Sequence, residues 1–254
     1  MRVISYNILD GGVGRADPIA EVIKANRPDV AALVEADDLA VVERIAHRLN
    51  MDFVHAAAKT HSVAILSRLP IIESVNIAAL DDSVGTSFAM VQIGASKADS
   101  FGLAVLHLHP YGTHEDEKIR LQQVSAVLKH LSRWREQGLA HLLVGDFNSN
   151  SPTQQIDPKR VRQHTQRDIE ANGGDLPREV IKRVLAAGYL DTLHAHCPEK
   201  ADTSGTFSTQ FPGERVDFIF TCGFAQGSIR NAWIEQDRLA EYASDHFPVG
   251  VELE

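Results

Sequence analysis

Six short polar clusters carry the side chains able to do chemistry. They are Tyr6-Asn7, Val34-Glu35-Ala36-Asp37, His107-Leu108-His109, Gly145-Asp146-Phe147-Asn148, Arg215-Val216-Asp217 and Ser244-Asp245-His246. Each borders an apolar run of strand type, and strand ends are where open α/β folds build their sites. Together they supply several hard oxygen ligands, two or three imidazoles and one guanidinium. Hard oxygen donors suit Mg²⁺ or Mn²⁺ rather than zinc. A single Asp-x-Asn after a strand is more often a turn or a cap than a ligand pair, so the inventory carries the reading and no single cluster does. If the strand persists through Asp146 and Asn148, both side chains point to one face and reach one phosphate. Glu35 ends a nearly all-apolar run, where a carboxylate is costly unless it meets a cation.

The elements that must position these groups follow from periodicity. Arg2 to Ile8 reads as a strand followed by the turn-forming Asp10-Gly11-Gly12. Asp17-Pro18 reads as a helix start with Asp17 as N-cap, and Asn26-Arg27-Pro28 as its stop. Residues 29–34 form a short apolar run that suits a buried strand, and 39–49 a helix. Further strands are expected over 63–66, 71–77, 88–93 and 103–108. Thr113 with Asp116 three residues on makes a capping box ahead of Leu121, Val124, Leu128, Leu131 and Trp134 at helical spacing. A strand over 141–145 follows. Residues 149–188 are the least regular part, with a helix near 178–187, and strands return over 215–220, 228–235 and 247–253. Helical and strand patterns interleave with no repeat or flexible linker, which predicts one domain over 1–254. Strands joined partly by hairpins and partly by helices suggest two packed sheets with helices outside.

Composition narrows the function. The 254 residues are 44% hydrophobic and 23% charged, which excludes disordered and collagen-like chains. No apolar run approaches the roughly 18 residues that span a bilayer. Cys197 and Cys222 make no disulfide framework and no CxxC pair, so a reducing, cytoplasmic setting is the default. With 25 Lys+Arg against 34 Asp+Glu the net charge is −9, which opposes non-specific DNA binding through a broad basic surface. It leaves open a phosphate substrate, because carboxylates that hold a cation add negative formal charge where the local field is positive. The sequence sets no oligomeric state.

The ordered set Ser5-Tyr6-Asn7-Ile8, Glu35, residues 62–68 (Ser-Val-Ala-Ile-Leu-Ser-Arg), His107-Leu108, Gly145-Asp146-Phe147-Asn148, residues 215–219 (Arg-Val-Asp-Phe-Ile) and residues 244–248 (Ser-Asp-His-Phe-Pro) resembles the endonuclease/exonuclease/phosphatase superfamily. That superfamily includes pancreatic-type DNase, abasic-site endonucleases, inositol-polyphosphate 5-phosphatases, sphingomyelinases and deadenylases. The resemblance runs from residue 5 to 248. It implies a four-layer α/β/β/α sandwich of two mixed sheets with outer helices, Mg²⁺ dependence with Mn²⁺ as the alternative, and hydrolysis of a phosphodiester or phosphomonoester.

On that resemblance Glu35 is the principal metal ligand, Asp245 completes the metal site, and Asn7 sits beside Glu35, holding metal water or a phosphate oxygen. Asp10 is a weaker candidate to join them. Asp146 orients or deprotonates the attacking water, and Asn148 holds the water or a phosphoryl oxygen. His107 bonds a phosphoryl oxygen or assists the leaving group. His246 sits against the phosphorus, paired with Asp217; an imidazole held by a buried carboxylate has a fixed tautomer and raised basicity. The family usually shows Gln before the glutamate, and Val34 stands there instead, which removes one polar contact and leaves the ligand.

Other residues read as structural. His109 is placed on the rim, His114 in the first turn of the long helix, Arg120 and Gln123 in loop contacts, Arg68 in support, and Thr206-Phe207 beneath the site. Lys159, Arg160, Arg162, His164 and Arg167 form a basic cluster whose ordinary role is a solvated face and whose alternative is contact with a polyanionic substrate. Three rivals remain at this level. One is a DNA endonuclease or exonuclease of the same superfamily. Another is a zinc hydrolase on His107-x-His109 with His114, although Tyr111 and Gly112 hold the Asp and His places of an HxHxDH run. The third is a non-catalytic binding module, which the occupancy of every expected catalytic position counts against. Nucleic acid is disfavoured as a partner by the charge, and a small phosphoester or lipid headgroup fits equally well.

Overall fold

The computed structural model describes residues 1–254. The chain runs β1 (Arg2–Asn7), α1 (Ala16–Asn26), β2 (Val30–Val34), α2 (Leu39–Leu49), β3 (Asp52–Ala56), β4 (Val63–Ser67), β5 (Ile71–Asn76), α3 (Ile77–Leu80), β6 (Ser87–Ser96), β7 (Asp99–His107), α4 (His114–Glu136) and β8 (His141–Asp146). It continues through α5 (Gln163–Ala171), α6 (Glu179–Ala186), β9 (Leu190–Asp191), α7 (Thr192–His196), α8 (Pro198–Thr203), β10 (Asp217–Cys222), β11 (Ile229–Ile234), α9 (Arg238–Ala243) and β12 (Val249–Leu253). One sheet has the order β11-β12-β1-β2-β4-β3 and the other β5-β6-β7-β8-β10-β9.

Apolar residues at alternate strand positions decide the layering. Leu103 and Val105 of β7 join the core shared with the first sheet, while Ala104 and Leu106 join a second core under the helices. That is the period-two pattern of a strand buried on both faces. Ile19, Ile23, Val42 and Ile45 cover the first sheet from α1 and α2; Val124, Val127, Val180 and Val184 cover the second from α4 and α6. The result is the four-layer sandwich expected from the resemblance. No helix is long and apolar enough to cross a membrane.

Each sheet has one parallel pair, β1 with β2 and β7 with β8, and every other pairing is antiparallel. In each case a helix makes the crossover, α1 or α4. The register then puts Asn7 opposite Val34, and His107 and Asp217 on either side of Asp146. Strands β1, β2, β7 and β8 thus end, and the antiparallel strands β4, β6, β10 and β12 begin, at one mouth between the sheets.

Two local expectations are corrected. Helix α1 starts at Ala16 after Arg15, so Asp17 lies in its first turn and bonds Arg44 at 2.6 Å instead of capping. Arg27, left-handed at φ 46°, ends that helix with its N–H on Lys24 O. Strand β10 starts at Asp217, two residues later than the apolar run suggests, because Val216 and Asp217 give their amides to Thr206 Oγ1. The capping box forms as expected, with Thr113 and Asp116 bonding each other's backbone.

Candidate active site

Asn7 lies at the centre of the mouth, fully buried at the end of β1. Its Nδ2 donates to Glu35 Oε1 at 2.9 Å and to Asp146 Oδ2 at 3.1 Å, and stands 3.5 Å from His246 Nε2. Its Oδ1 accepts from Leu9 N, which fixes the amide. One side chain therefore ties carboxylates of the two sheets together.

Glu35 follows β2 in the left-handed region, φ 56°, a strained conformation for a glutamate of the kind that persists at functional sites. Its carbonyl accepts from Gly11 N and its Oε2 from Asp10 N, so the turn after β1 holds it from both ends. Burial pushes its carboxyl up, but the Asp10 amide, His107 and Asn7 outweigh that and hold it below its ordinary value.

His107 ends β7 with Nε2 at 3.6 Å from Asp146 Oδ2 and 3.9 Å from Glu35 Oε1. Burial pushes its imidazole down to about 4, against the pull of Glu35, so the ring is neutral near pH 7. Asp146 ends β8; burial, helped by the like charge of Asp217, pushes its carboxyl up to about 7. His246 is buried beside it, Nδ1 at 2.9 Å from Asp217 Oδ2 and Nε2 at 3.8 Å from Asp146 Oδ2. Burial would lower its imidazole, yet Asp217, Asp146 and Asp245 push it up to about 10. His246 and Asp146 thus have their titrations moved by the same crowd of carboxylates. Ser244 Oγ donates to Asn7 O and accepts from His246 N, locking the β12 approach to β1.

All eight site residues named from the sequence border this mouth, but Asn148 does so differently from expectation. Strand β8 stops at Asp146, and Asn148 turns left-handed at φ 46°. Its N donates to Asp146 Oδ1 and its Nδ2 to Leu108 O, so it braces Asp146 and lines the adjoining pocket. The residues read as structural behave so. His109 Nε2 bonds Asp116 at 2.9 Å, which splits the His-x-His pair the zinc reading needs. Arg120 donates to Glu117 and to the carbonyls of residues 109–111, Gln123 to Gly85 O, and Arg68 to Pro28 O. Arg215 is buried in a bidentate pair with Asp191.

Sequence reasoning missed His61, just ahead of β4. Its Nδ1 lies 2.7 Å from Asp37 Oδ2, and it groups with Asp10 and Glu35. The available signal was topological: β4 runs antiparallel to β2, so whatever precedes Val63 meets whatever follows Val34. Of the basic cluster, Arg162 enters the mouth, bonding Asp245 Oδ2 at 3.0 Å and lying 4.6 Å over the Phe207 ring. Lys159, Arg160 and Arg167 are exposed. Phe207 packs on His246 with ring centres 4.7 Å apart. Beside it opens a pocket of about 250 Å³ lined by Tyr111, Asn148, Arg162, His164, Phe207 and Glu214, among others. A larger cavity of about 700 Å³ near Met90 and Trp134 shares no residue with the cluster.

The donor set fits a divalent cation. Asp217 Oδ1 and Asp245 Oδ1 are buried without a hydrogen-bond partner, which is expensive for carboxylate oxygens unless a cation or proton meets them. Two groups, Asp10 with Glu35 and His61 and Asp146 with Asp217 and His246, each bring ligand atoms within 4.8 Å of one another.

Comparison with known proteins agrees with this fold. Residues 4–246 match the sequence model of the Endonuclease/Exonuclease/phosphatase family. No curated protein matches the sequence. Among solved structures, an AP endonuclease from Archaeoglobus fulgidus is similar with a TM-score of 0.76 and 19% identity, covering 100% of this chain and 99% of its own. A 3'-5' exonuclease from Neisseria meningitidis is similar at 0.73 and 20%, with 100% of both chains covered. A mannosyl-6-phosphatase from Bacteroides thetaiotaomicron is similar at 0.69 and 18%, covering 100% and 99%.

Proposed function

This chain belongs to the Endonuclease/Exonuclease/phosphatase family, and on that premise we propose that it is a divalent-metal-dependent phosphoesterase, acting as one domain, that opens a phosphodiester or phosphomonoester by in-line attack of water. The observation that carries the reading is the Asn7 amide bonded to both Glu35 and Asp146, which gathers carboxylates of the two sheets within reach of the His107 and His246 imidazoles.

A divalent cation, Mg²⁺ with Mn²⁺ as the alternative, held by Glu35 and Asp245 with Asn7 beside them, would neutralise charge growing on the phosphoryl and departing oxygens. Asp146 takes the proton of the attacking water at Oδ2; a carboxyl near 7 is matched to that work at neutral pH. His246 keeps its proton because Asp217 holds Nδ1, and presents a charged Nε2–H to a phosphoryl oxygen. His107, neutral, bonds another phosphoryl oxygen or gives its N–H to the leaving group, and Asn148 holds the water or an oxygen of the phosphate.

Phe207, Tyr111 and the polar side chains around them give the leaving group a pocket smaller than the roughly 300–1,000 Å³ typical of drug-sized ligands. That size and the charge of −9 favour a small phosphoester over duplex nucleic acid. A reducing, cytoplasmic setting suits the two unpaired cysteines. The similar structures named above include an AP endonuclease, a 3'-5' exonuclease and a mannosyl-6-phosphatase, so nucleic-acid and small phosphoester substrates both belong in the test. Bis-p-nitrophenyl phosphate, p-nitrophenyl phosphate, an abasic duplex and sphingomyelin are offered with Mg²⁺ or Mn²⁺. Hydrolysis of a small ester, lost in EDTA and restored by the cation, is expected. Cleavage of the abasic duplex alone would move the substrate class to nucleic acid, and no hydrolysis of any of the four would overturn the proposal.

A further inference from the structure

His61 has no part in the chemistry above, yet it stands on the Glu35 side of the mouth, grouped with Asp10 and Glu35. One imidazole nitrogen, an Asp10 carboxylate oxygen and a Glu35 carboxylate oxygen lie within 4.8 Å of one another. Nδ1 lies 2.7 Å from Asp37 Oδ2, so Nε2 is the nitrogen left to take a cation.

The support around the ring is built from backbone. Asp37 Oδ1 accepts from Ser62 N at 2.5 Å, the His61 carbonyl accepts from the Ser87 hydroxyl, and Ala36 N donates to Ser62 O. The loop before β4 is thereby tied to the end of β2 and the start of β6, and the imidazole is not a side chain free to swing. A carboxylate on the far nitrogen is the arrangement that fixes the tautomer and orientation of a metal-bound histidine and raises its basicity. On the other side Glu35 is held by Asn7 and the Asp10 amide with its oxygens turned to the same space.

We propose that His61, oriented by Asp37, is a direct nitrogen ligand of the cation that Glu35 holds, with Asp10 as a further oxygen ligand, so that the site selects a first-row transition cation such as Mn²⁺ over Mg²⁺. The inference rests on the metal-dependent reading above and adds to it the nature of the ion. Mg²⁺ is hard and demands oxygen donors in near-ideal octahedral geometry, and it gains little from an imidazole. First-row transition cations gain from a nitrogen donor beside oxygens, Mn²⁺ least among them but more than Mg²⁺. His61 is also half-exposed, its side chain 39% accessible, so replacing it removes a ligand without opening the core.

The experiment is pulsed electron paramagnetic resonance of Mn²⁺ bound to the full chain, with Mn²⁺ and Mg²⁺ affinities measured by calorimetry. Wild type is expected to show a ¹⁴N coupling on Mn²⁺ that His61→Gln abolishes. The same substitution is expected to weaken Mn²⁺ by about tenfold or more and Mg²⁺ by much less, and Asp37→Asn to weaken Mn²⁺ partway, as expected for an outer partner. Circular dichroism checks that both variants are folded. Mn²⁺ bound with no ¹⁴N coupling, or a coupling that persists in His61→Gln, overturns the role of His61 while leaving the metal-dependent reading standing. An imidazolium that only neutralises Asp37 gives that result. A wild-type chain that binds neither cation overturns both.

Discussion

Asn7 and its neighbours act as a unit, so each member of the cluster is expected to matter out of proportion to its own contacts. Near-isosteric replacements that keep the packing, Asp146→Asn, His246→Gln and Glu35→Gln, should each lower kcat by about 10²-fold or more on whichever phosphoester proves active, the scale of a lost acid–base or metal contribution. Near-wild-type turnover removes that residue from its role. Glu214 offers a separate reading of burial. It is 8% exposed, with Oε2 accepting from Thr165, and burial pushes its carboxyl up from an ordinary 4.5 to about 7. A folded value above the unfolded one means that the stability it contributes is full below pH 4.5 and lost as pH rises through 7. Glu214→Gln keeps the hydrogen bond and drops the charge. It should match wild type in urea at pH 4 and exceed it at pH 8.5 by up to about 3 kcal/mol, at about 1.4 kcal/mol for each pH unit of displacement; equal midpoints at both pH values would show that Glu214 is solvated. The positions of Asn7, Glu35, His107, Asp146, Asp217, Asp245 and His246 at the mouth were legible in the sequence because each terminates or precedes an apolar run. His61 was not, since it follows the polar stretch Lys59-Thr60, and Arg162 was legible only as one member of a basic cluster, where nothing local distinguishes a side chain that reaches the mouth from one that meets water.

At the scale of elements, the site depends on how closely β7 and β8 run. Gly145 pairs with Leu106 one step before the His107–Asp146 pair, and its φ of 132° leaves no room for a side chain. A Cβ there would collide with the Leu106 carbonyl, which is backbone and cannot swing away. Gly145→Ala should therefore cost about 1–3 kcal/mol in denaturant unfolding, the range for forced overpacking, and should lower kcat as well, because the strand shift falls on Asp146. Unchanged stability with unchanged turnover would show that the two strands can part without disturbing the catalytic carboxylate. Strand positions were readable here because both faces are buried and the runs are almost purely apolar. Strand β3 escaped because Asp52 and His55 break the run and three of its five residues are only half-buried. Helices α5 and α7 to α9 escaped for a related reason: they are five to nine residues long, too short for a 3.6-residue period to rise above noise. They are fixed by caps such as Asp191 and Asp237 and by docking, which only the assembled fold supplies.

For the molecule as a whole, the telling feature is where its negative charge is placed. Folding brings Asp10, Glu35, Asp146, Asp217 and Asp245 to one mouth, with Arg162 and the His246 imidazolium among the few cations close to them. Two of those carboxylate oxygens are buried with no hydrogen-bond partner. Without a cation the fold carries that repulsion as a standing cost, and an ion that binds the folded chain and not the unfolded one should relieve it. At a free concentration about 100 times Kd, linkage gives about 2.7 kcal/mol. For a chain of this size that raises Tm by about 5–10 °C. The same ionic strength in NaCl should raise it far less, because screening acts weakly on buried groups. The double variant Glu35→Gln, Asp245→Asn sharpens the test. With two ligand carboxylates gone, added Mn²⁺ or Mg²⁺ should leave its Tm unmoved. A double variant that still responds to the cation would mean that the ion binds elsewhere, and that the crowding of acids at the mouth is balanced by the protein itself.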